Sequence, residues 1–264
     1  MPDDILIKAV VAGLLASLAC GLGVVPLMVP GLDPKRHSGT GYAVAAGLMF
    51  AASVYNLILP GLQVGEGEAA FHWTLAKMLP ILGGLFIGAG FLSLSGKLIE
   101  DHDLGERLGK GVGGAGGLLI FLAMLIHSIP EGVAVGVGYT AEGTEYAHNP
   151  NMGSYLALAI GIHNIPEGLA VAIPLRAAGV SLHKCFWLAV LTSVPQPIAA
   201  VPAVLAAWLF NPLMPWLMAF AAGAMIFLVV EELIPEANKT LSCQRVAWAF
   251  TFGFGGMMLI QTVL

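Results

Sequence analysis

The chain has 264 residues, of which 58% are hydrophobic and only 10% charged, with a formal net charge of −5 and a mean hydropathy of +0.86. Because soluble domains carry about 25% charged residues, this composition excludes an ordinary water-soluble domain, and long apolar stretches along the whole chain predict a polytopic membrane protein. The expected surroundings are therefore the lipid bilayer. The sequence has no basic block that would suggest a nucleic-acid partner.

The first apolar stretch, residues 5–29, is long enough to cross a bilayer. It begins MPDDILIK, so that acidic residues precede the first lysine, whereas a signal peptide has a basic start and a shorter apolar core. We therefore predict a transmembrane helix that is retained in the protein.

Eight stretches in all have the length and apolar character of a transmembrane helix, which needs about 20 residues. They predict an all-α fold in one transmembrane domain, residues 1–264. The only long hydrophilic stretch, about 96–117, is charged and then glycine-rich, which predicts a cytoplasmic linker. The eight predicted spans are 5–29, 40–62, 75–95, 116–139, 152–176, 184–210, 213–235 and 245–263.

Lysine and arginine predict the orientation, because they favour the cytoplasmic side of a membrane. The odd-numbered loops hold nine of these residues, and the other side holds only Lys8 and Lys77. Both termini are therefore predicted to lie outside the cytoplasm, and a bacterial inner membrane is the expected location.

The three cysteines, Cys20, Cys185 and Cys243, share no close spacing and predict neither a disulfide framework nor a thiolate metal site.

A hexapeptide occurs twice, as HSIPEG at 127–132 and as HNIPEG at 163–168. The predicted topology sends the two copies across the membrane in opposite directions. A weaker echo joins AAGLMFAASVYNLI at 45–58 to AAGAMIFLVVEELI at 221–234, again in oppositely directed spans. This pattern is typical of an inverted-topology repeat, whose substrate site lies near the membrane midplane.

Each hexapeptide places a His and a Glu four residues apart, and therefore on one face of a helix. Pro130 and Pro166 each remove a backbone hydrogen bond, while Gly132 and Gly168 allow neighbouring helices to approach closely. Two His and two Glu that converge inside a membrane predict a site for a divalent transition metal. The predicted ligands are His127 and Glu131 with His163 and Glu167.

The motifs in the fourth and fifth spans resemble those of the ZIP (Zrt-, Irt-like) family of divalent metal transporters, and the resemblance covers essentially the whole chain. It implies a 3+2+3 helix arrangement with inverted symmetry and movement of the metal toward the cytoplasm. It also implies that Asn164 joins the ligands, that Met49 lies near the metal, that Asn56 faces the outer entrance, and that Glu232 lies toward the path. Glu231, beside Glu232, is expected to face elsewhere, because adjacent helical positions do not share a face.

Two positions depart from the pattern that the resemblance implies. Ser128 replaces the usual Asn of the first motif, and the sixth span has Gln196 where many relatives have a Glu before a Pro. These groups take part in holding a second metal in such relatives. We therefore predict one tightly held ion per protomer, transported as substrate, with no cofactor.

Other functions and details stay open at this stage. The residues allow an intramembrane metalloenzyme, although HExxH is absent, and they allow a metal-gated channel or receptor. Zinc is the expected substrate, but Fe(II), Mn(II), Co(II) and Cd(II) accept the same ligands. The oligomeric state is also open, with a homodimer among the options.

Overall fold

The computed structural model describes residues 2–29, 34–63, 75–100, 115–142, 144 and 150–263, although some side chains within the helices, including that of His163, lie outside the description. All the regular structure in these segments is helical. The α-helices are α1 Pro2–Gly21, α2 Pro34–Ala52, α3 Leu59–Gln63, α4 Leu75–Glu100, α5 Ala115–Ala141, α6 Met152–Ala177, α7 Leu182–Thr192, α8 Pro195–Leu209, α9 Met214–Leu228, α10 Ile234–Asn238 and α11 Cys243–Val263.

Six of the predicted spans coincide with helical segments that are long and apolar enough to cross a membrane. The chain is therefore a polytopic membrane protein. The predicted spans 116–139 and 245–263 coincide with α5 and α11, so both are helical as expected. The six segments are Asp3–Met28, Gly39–Leu62, Lys77–Lys97, Met152–Ile173, Leu182–Leu209 and Asn211–Asn238.

The boundaries of the predicted linker, about 96–117, differ in the structure. Helix α4 continues to Glu100 and α5 already begins at Ala115, so both ends of the linker are helical. Hydrophilic residues can extend a helix beyond the apolar core, since the backbone satisfies its own hydrogen bonds. The charged middle of the linker lies outside the described residues.

The sixth predicted span, 184–210, is interrupted between α7 and α8. Pro197 has no N–H to donate to the Ser193 carbonyl four residues earlier, so the regular ladder fails at this point. The Gln196 N–H donates to the Ser193 oxygen at 3.0 Å, and the Ser17 hydroxyl of α1 donates to it at 2.7 Å. This break directs Gln196 into the interior, where it is fully buried.

Two of the spans contain a segment with π-helical hydrogen bonding, Ser53–Ile58 after α2 and Val229–Leu233 after α9. Such segments are rare and occur frequently at functional sites, because the wider turn changes which side chains face inward. Asn56 lies in the first segment and Glu232 in the second. The π-helical geometry therefore affects two residues that were predicted to lie along the path.

Helix packing joins α4 to α9, α2 to α11, α5 to α8, and α1 to both α6 and α8. Helices α5 and α6, which carry the two hexapeptides, also pack directly against each other. Gly132 lies against the backbone of Gln196, and Gly168 lies against the carbonyl of Cys20. A Cβ atom at either glycine would overlap these backbone atoms, which confirms that the two glycines permit close helix approach.

Candidate functional site

Helix α5 brings His127 and Glu131 into the interior of the bundle. His127 is 9% exposed and Glu131 only 1% exposed. The Nε2 atom of His127 lies 3.5 Å from Oε1 of Glu232, which belongs to the π-helical segment after α9. The Nδ1 atom of His127 is buried and has no hydrogen-bond partner among the described residues. Half of the imidazole therefore retains its capacity to bind another group.

Helix α6 contributes Asn164 and Glu167, which are 0% and 3% exposed. The Oε1 atom of Glu167 is buried and, within the described part of the chain, has no hydrogen-bond partner. An ionised carboxylate in an apolar interior is strongly disfavoured unless a cation or a hydrogen-bond donor compensates it. His163 lies in this helix, but its side chain falls outside the description.

Gln196, from the start of α8, connects the two hexapeptide helices. Its Nε2 donates to Oε2 of Glu131 on α5 and to Oδ1 of Asn164 on α6, the second at 3.3 Å. In the other direction, Nδ2 of Asn164 donates to Oε1 of Gln196 at 3.2 Å. Gln196 was predicted as a weaker candidate for a metal ligand. Its amide hydrogens are directed at the neighbouring acceptors.

The remaining predicted residues occupy several environments. Met49 on α2 is fully buried, and Ser128 is buried with its hydroxyl donating to the Met124 carbonyl of its own helix at 3.1 Å. Asn56 and Glu232 are partly exposed. Glu231 is exposed.

The acidic side chains of the site interact with one another. Glu131 and Glu232 both lie close enough to Glu167 for electrostatic repulsion. A divalent cation would relieve this repulsion, because opposite charges attract strongly where the effective dielectric constant is low. Among the described side chains, however, no three His, Cys, Asp or Glu residues are grouped closely enough to hold one ion.

One hydrogen bond at the site is accepted by a backbone carbonyl, which the sequence motifs do not reveal. The Ala16 carbonyl of α1 accepts a hydrogen bond from Nδ2 of Asn164 at 2.9 Å. Every residue has a backbone carbonyl, so no local sequence signal distinguishes this one. Only the packing of α1 against α6 identifies it.

Comparison with known proteins gives a consistent family assignment. The family described as ZIP Zinc transporter matches residues 100–261, which include both hexapeptides, Gln196 and Glu232. The chain belongs to the ZIP zinc transporter family. This confirms the resemblance seen in the motifs and the prediction of a transporter rather than an enzyme.

Relatives of this family are similar over most of the chain. Zinc transporter GufA of Myxococcus xanthus is 36% identical over 236 residues, covering 87% of this chain and 88% of the relative. Zinc transporter ZIP11 of Xenopus tropicalis is 33% identical, covering 83% and 86%. Zinc transporter ZIPB of Bordetella bronchiseptica is 33% identical over 264 residues, covering 97% and 81%.

Proposed function

We propose that this ZIP family protein carries zinc into the cytoplasm through a site between α5 and α6. The observation that carries the proposal is the buried Glu167 carboxylate, whose Oε1 atom has no described hydrogen-bond partner inside an apolar bundle. A buried polar atom without a partner needs an explanation, and a transient cation supplies one. The zinc transporters among the relatives favour zinc as that cation.

The proposed ligands are His127 and Glu131 from α5 with His163, Asn164 and Glu167 from α6. Met49 lies near the ion in this proposal. Imidazole nitrogen and carboxylate oxygen are suitable ligands for Zn(II), and both must be deprotonated before they bind it. Because the described acids and imidazole do not form a compact chelate, the side chains have to converge as the ion enters.

We further propose that the fold is the predicted inverted repeat of eight helices arranged 3+2+3. Equivalent positions in the first two and the sixth and seventh spans lie 176 residues apart. The π-helical segments support this relation, since they begin at Ser53 and Val229, and Asn56 and Glu232 occupy corresponding positions in them. The Ser17 hydroxyl donates to Ser193, its own equivalent under this relation.

Close contacts at glycines support the same symmetry. Helix α2 meets α11 through one glycine from each helix, and α9 meets α4 in the same way. In every case the glycine lies against a carbonyl oxygen of the other helix. The four contacts are Gly47 with Phe250, Gly253 with Val44, Gly223 with Leu85, and Gly88 with Phe220.

These contacts also divide the helices into two bundles. The carrier bundle consists of α1, α5, α6, α7 and α8, with the 3-10 turn Leu22–Met28. The frame bundle consists of α2, α3, α4, α9, α10 and α11, with the two π-helical segments Ser53–Ile58 and Val229–Leu233. Each described glycine that lies tightly against another helix does so within its own bundle. Interlocked contacts thus hold each bundle together and leave the boundary between the bundles less tightly interlocked.

This division favours an elevator-like mechanism, in which the carrier bundle moves along the frame bundle. The five proposed ligands all belong to the carrier bundle, so they would move together with the ion, whereas Met49 belongs to the frame bundle. The frame bundle supplies Asn56 toward the outside and Glu232 beside His127. An ion enters past Asn56, exchanges water for the ligands, and is released inward after the bundles shift.

Transport is tested with purified protein in proteoliposomes. We expect saturable accumulation of zinc, because a carrier turns over one occupied site at a time, and competition with Fe(II), Mn(II), Co(II) and Cd(II) gives the selectivity. Accumulation no greater than in protein-free liposomes would contradict transport. A rate that rises linearly with zinc concentration would instead favour a channel.

Orientation is a separate prediction of the proposal, with both termini outside and inward transport across the inner membrane. Cys243 is exposed at the start of α11, on the predicted cytoplasmic side, whereas Cys20 and Cys185 are buried. An impermeant thiol reagent should therefore label Cys243 only after the cells are permeabilised. A Cys243→Ser protein carrying Asp3→Cys should be labelled in intact cells. The reverse pattern would overturn the orientation.

A further inference from the structure

Gln196 and Asn164 form a doubly hydrogen-bonded pair of side-chain amides. Each amide donates to the carbonyl oxygen of the other, at 3.2 and 3.3 Å. A primary amide has two N–H donors, so each residue has one hydrogen left. Asn164 directs its second hydrogen to the Ala16 carbonyl at 2.9 Å, and Gln196 directs its second hydrogen to Oε2 of Glu131. All four donors are therefore used, and both residues are 0% exposed.

These bonds determine which end of the Gln196 amide faces Glu131. The opposite orientation would place the amide oxygen against the carboxylate and bring two acceptors together. It would also break both bonds to Asn164. Gln196 therefore presents a donor to Glu131, and a donor nitrogen of this kind does not bind a metal cation. Gln196 therefore contributes to the site by holding the Glu131 carboxylate in position.

The two carboxylates of the site therefore differ in their hydrogen-bond partners. One oxygen of Glu131 is held by Gln196, whereas Oε1 of Glu167 has no described partner. Because Gln196 is neutral, the formal charge of the two carboxylates, Glu131 and Glu167, balances that of one divalent cation. A second adjacent dication would meet strong repulsion from the first at a low dielectric constant, and the neutral Gln196 adds no negative charge to offset that repulsion.

Helix packing alone does not require the amide pair. In the proposed repeat, Ser128 corresponds to Asn164 and Cys20 corresponds to Gln196, and the backbones pack closely at both Gly132 and Gly168. Ser128 directs its hydroxyl to its own helix, to the Met124 carbonyl. The other half of the repeat thus achieves close packing with two short side chains and without an amide pair.

We infer that Gln196 is a positioning residue, which uses its amide pair with Asn164 to hold the Glu131 carboxylate in place for a single zinc ion. The inference rests on the proposed function for the identity of the ion. The hydrogen-bonded pair itself joins α6 to α8 and, through Ala16 and Glu131, links them to α1 and α5. It therefore organises the site without any bound ion.

The first test replaces Gln196 with methionine, which has a similar length and no donors. We expect KM for zinc uptake in proteoliposomes to rise about tenfold, because removing the hydrogen-bond partner of a metal-binding side chain weakens metal binding. We expect kcat to change much less. Thr140→Val is the matched control, since the buried Thr140 hydroxyl donates only to the Gly136 carbonyl of its own helix. An unchanged KM, or a fall in kcat with no change in KM, would overturn the positioning role.

The second test measures zinc bound per protomer in purified protein. We expect one centrally bound ion in the unmodified protein and two in Gln196→Glu, which removes the donor to Glu131 and adds a negative charge. This variant also decides the matter if Gln196→Met fails to fold. Two central ions in the unmodified protein, both lost in Glu131→Ala and in Glu167→Ala, would show the single-ion inference to be wrong.

A third measurement separates this inference from the proposed transport function. Thermal unfolding of the metal-free protein is compared for Gln196→Met, Asn164→Leu and the double variant. Residues that share hydrogen bonds show non-additive effects in such a cycle, so we expect the second substitution to cost far less than the first. Additive effects would contradict the amide pair, whether or not the protein transports zinc.

Discussion

Glu167→Ala should abolish zinc uptake in proteoliposomes while leaving the protein inserted and folded. Glu167 is 3% exposed, and its Oε1 atom has no hydrogen-bond partner in the described chain, so the substitution breaks no described bond at that atom. It does remove one of the two negative charges that the proposed ligands offer to the ion. Glu167→Gln should fail as well, because the amide keeps the shape but loses the charge.

A graded comparison shows whether the loss is specific to the site. His127→Ala should weaken zinc binding about tenfold or more through lost coordination, and we expect the same of His163→Ala. Glu236→Ala removes an exposed ion pair with Lys239 and should transport normally, since such pairs contribute little. Normal uptake by a well-expressed Glu167→Ala protein would refute the proposed site.

Gly168→Ala should greatly reduce the amount of folded protein. A Cβ atom at this position would overlap the carbonyl oxygen of Cys20 in α1 and would lie 3.2 Å from the Cys20 sulfur. Overpacking typically costs about 1–3 kcal/mol, and we expect the upper end or more because the obstacle is backbone. Thermal stability and the yield of monodisperse protein in detergent measure the effect.

Helix α6 provides a control for this substitution. At Gly161 an added Cβ would meet only Ala16 and Ala19 atoms at 3.9 Å, which is ordinary van der Waals contact. Gly161→Ala should therefore be tolerated, with a small gain from the better helix propensity of alanine. Equal stability of the Gly168→Ala and Gly161→Ala variants would mean that the backbones of α1 and α6 are not in close contact at Gly168.

The sequence by itself determined the helical membrane class, the approximate spans and the family motif. These features depend on composition and on spacing within one helix. Hydrophobic stretches of about 20 residues predict the spans, and the interval of four residues predicts that His127 and Glu131 share a face. The role of these side chains as zinc ligands, the number of membrane-spanning helices and the orientation stay predictions.

Only the tertiary structure decided how the polar groups are paired. Gln196 lies 65 residues from Glu131 and 32 from Asn164 in the chain, and it reaches both because the helix is interrupted before Pro195 and Pro197. The interruption itself is stabilised by Ser17, 176 residues away. The sequence singled out Gln196 as a departure from the pattern that the resemblance implies, but the hydrogen bonds of Gln196 depend on the packing of α1, α5, α6 and α8. A side-chain amide has both donors and an acceptor, so its role depends on which groups the packed helices place beside it.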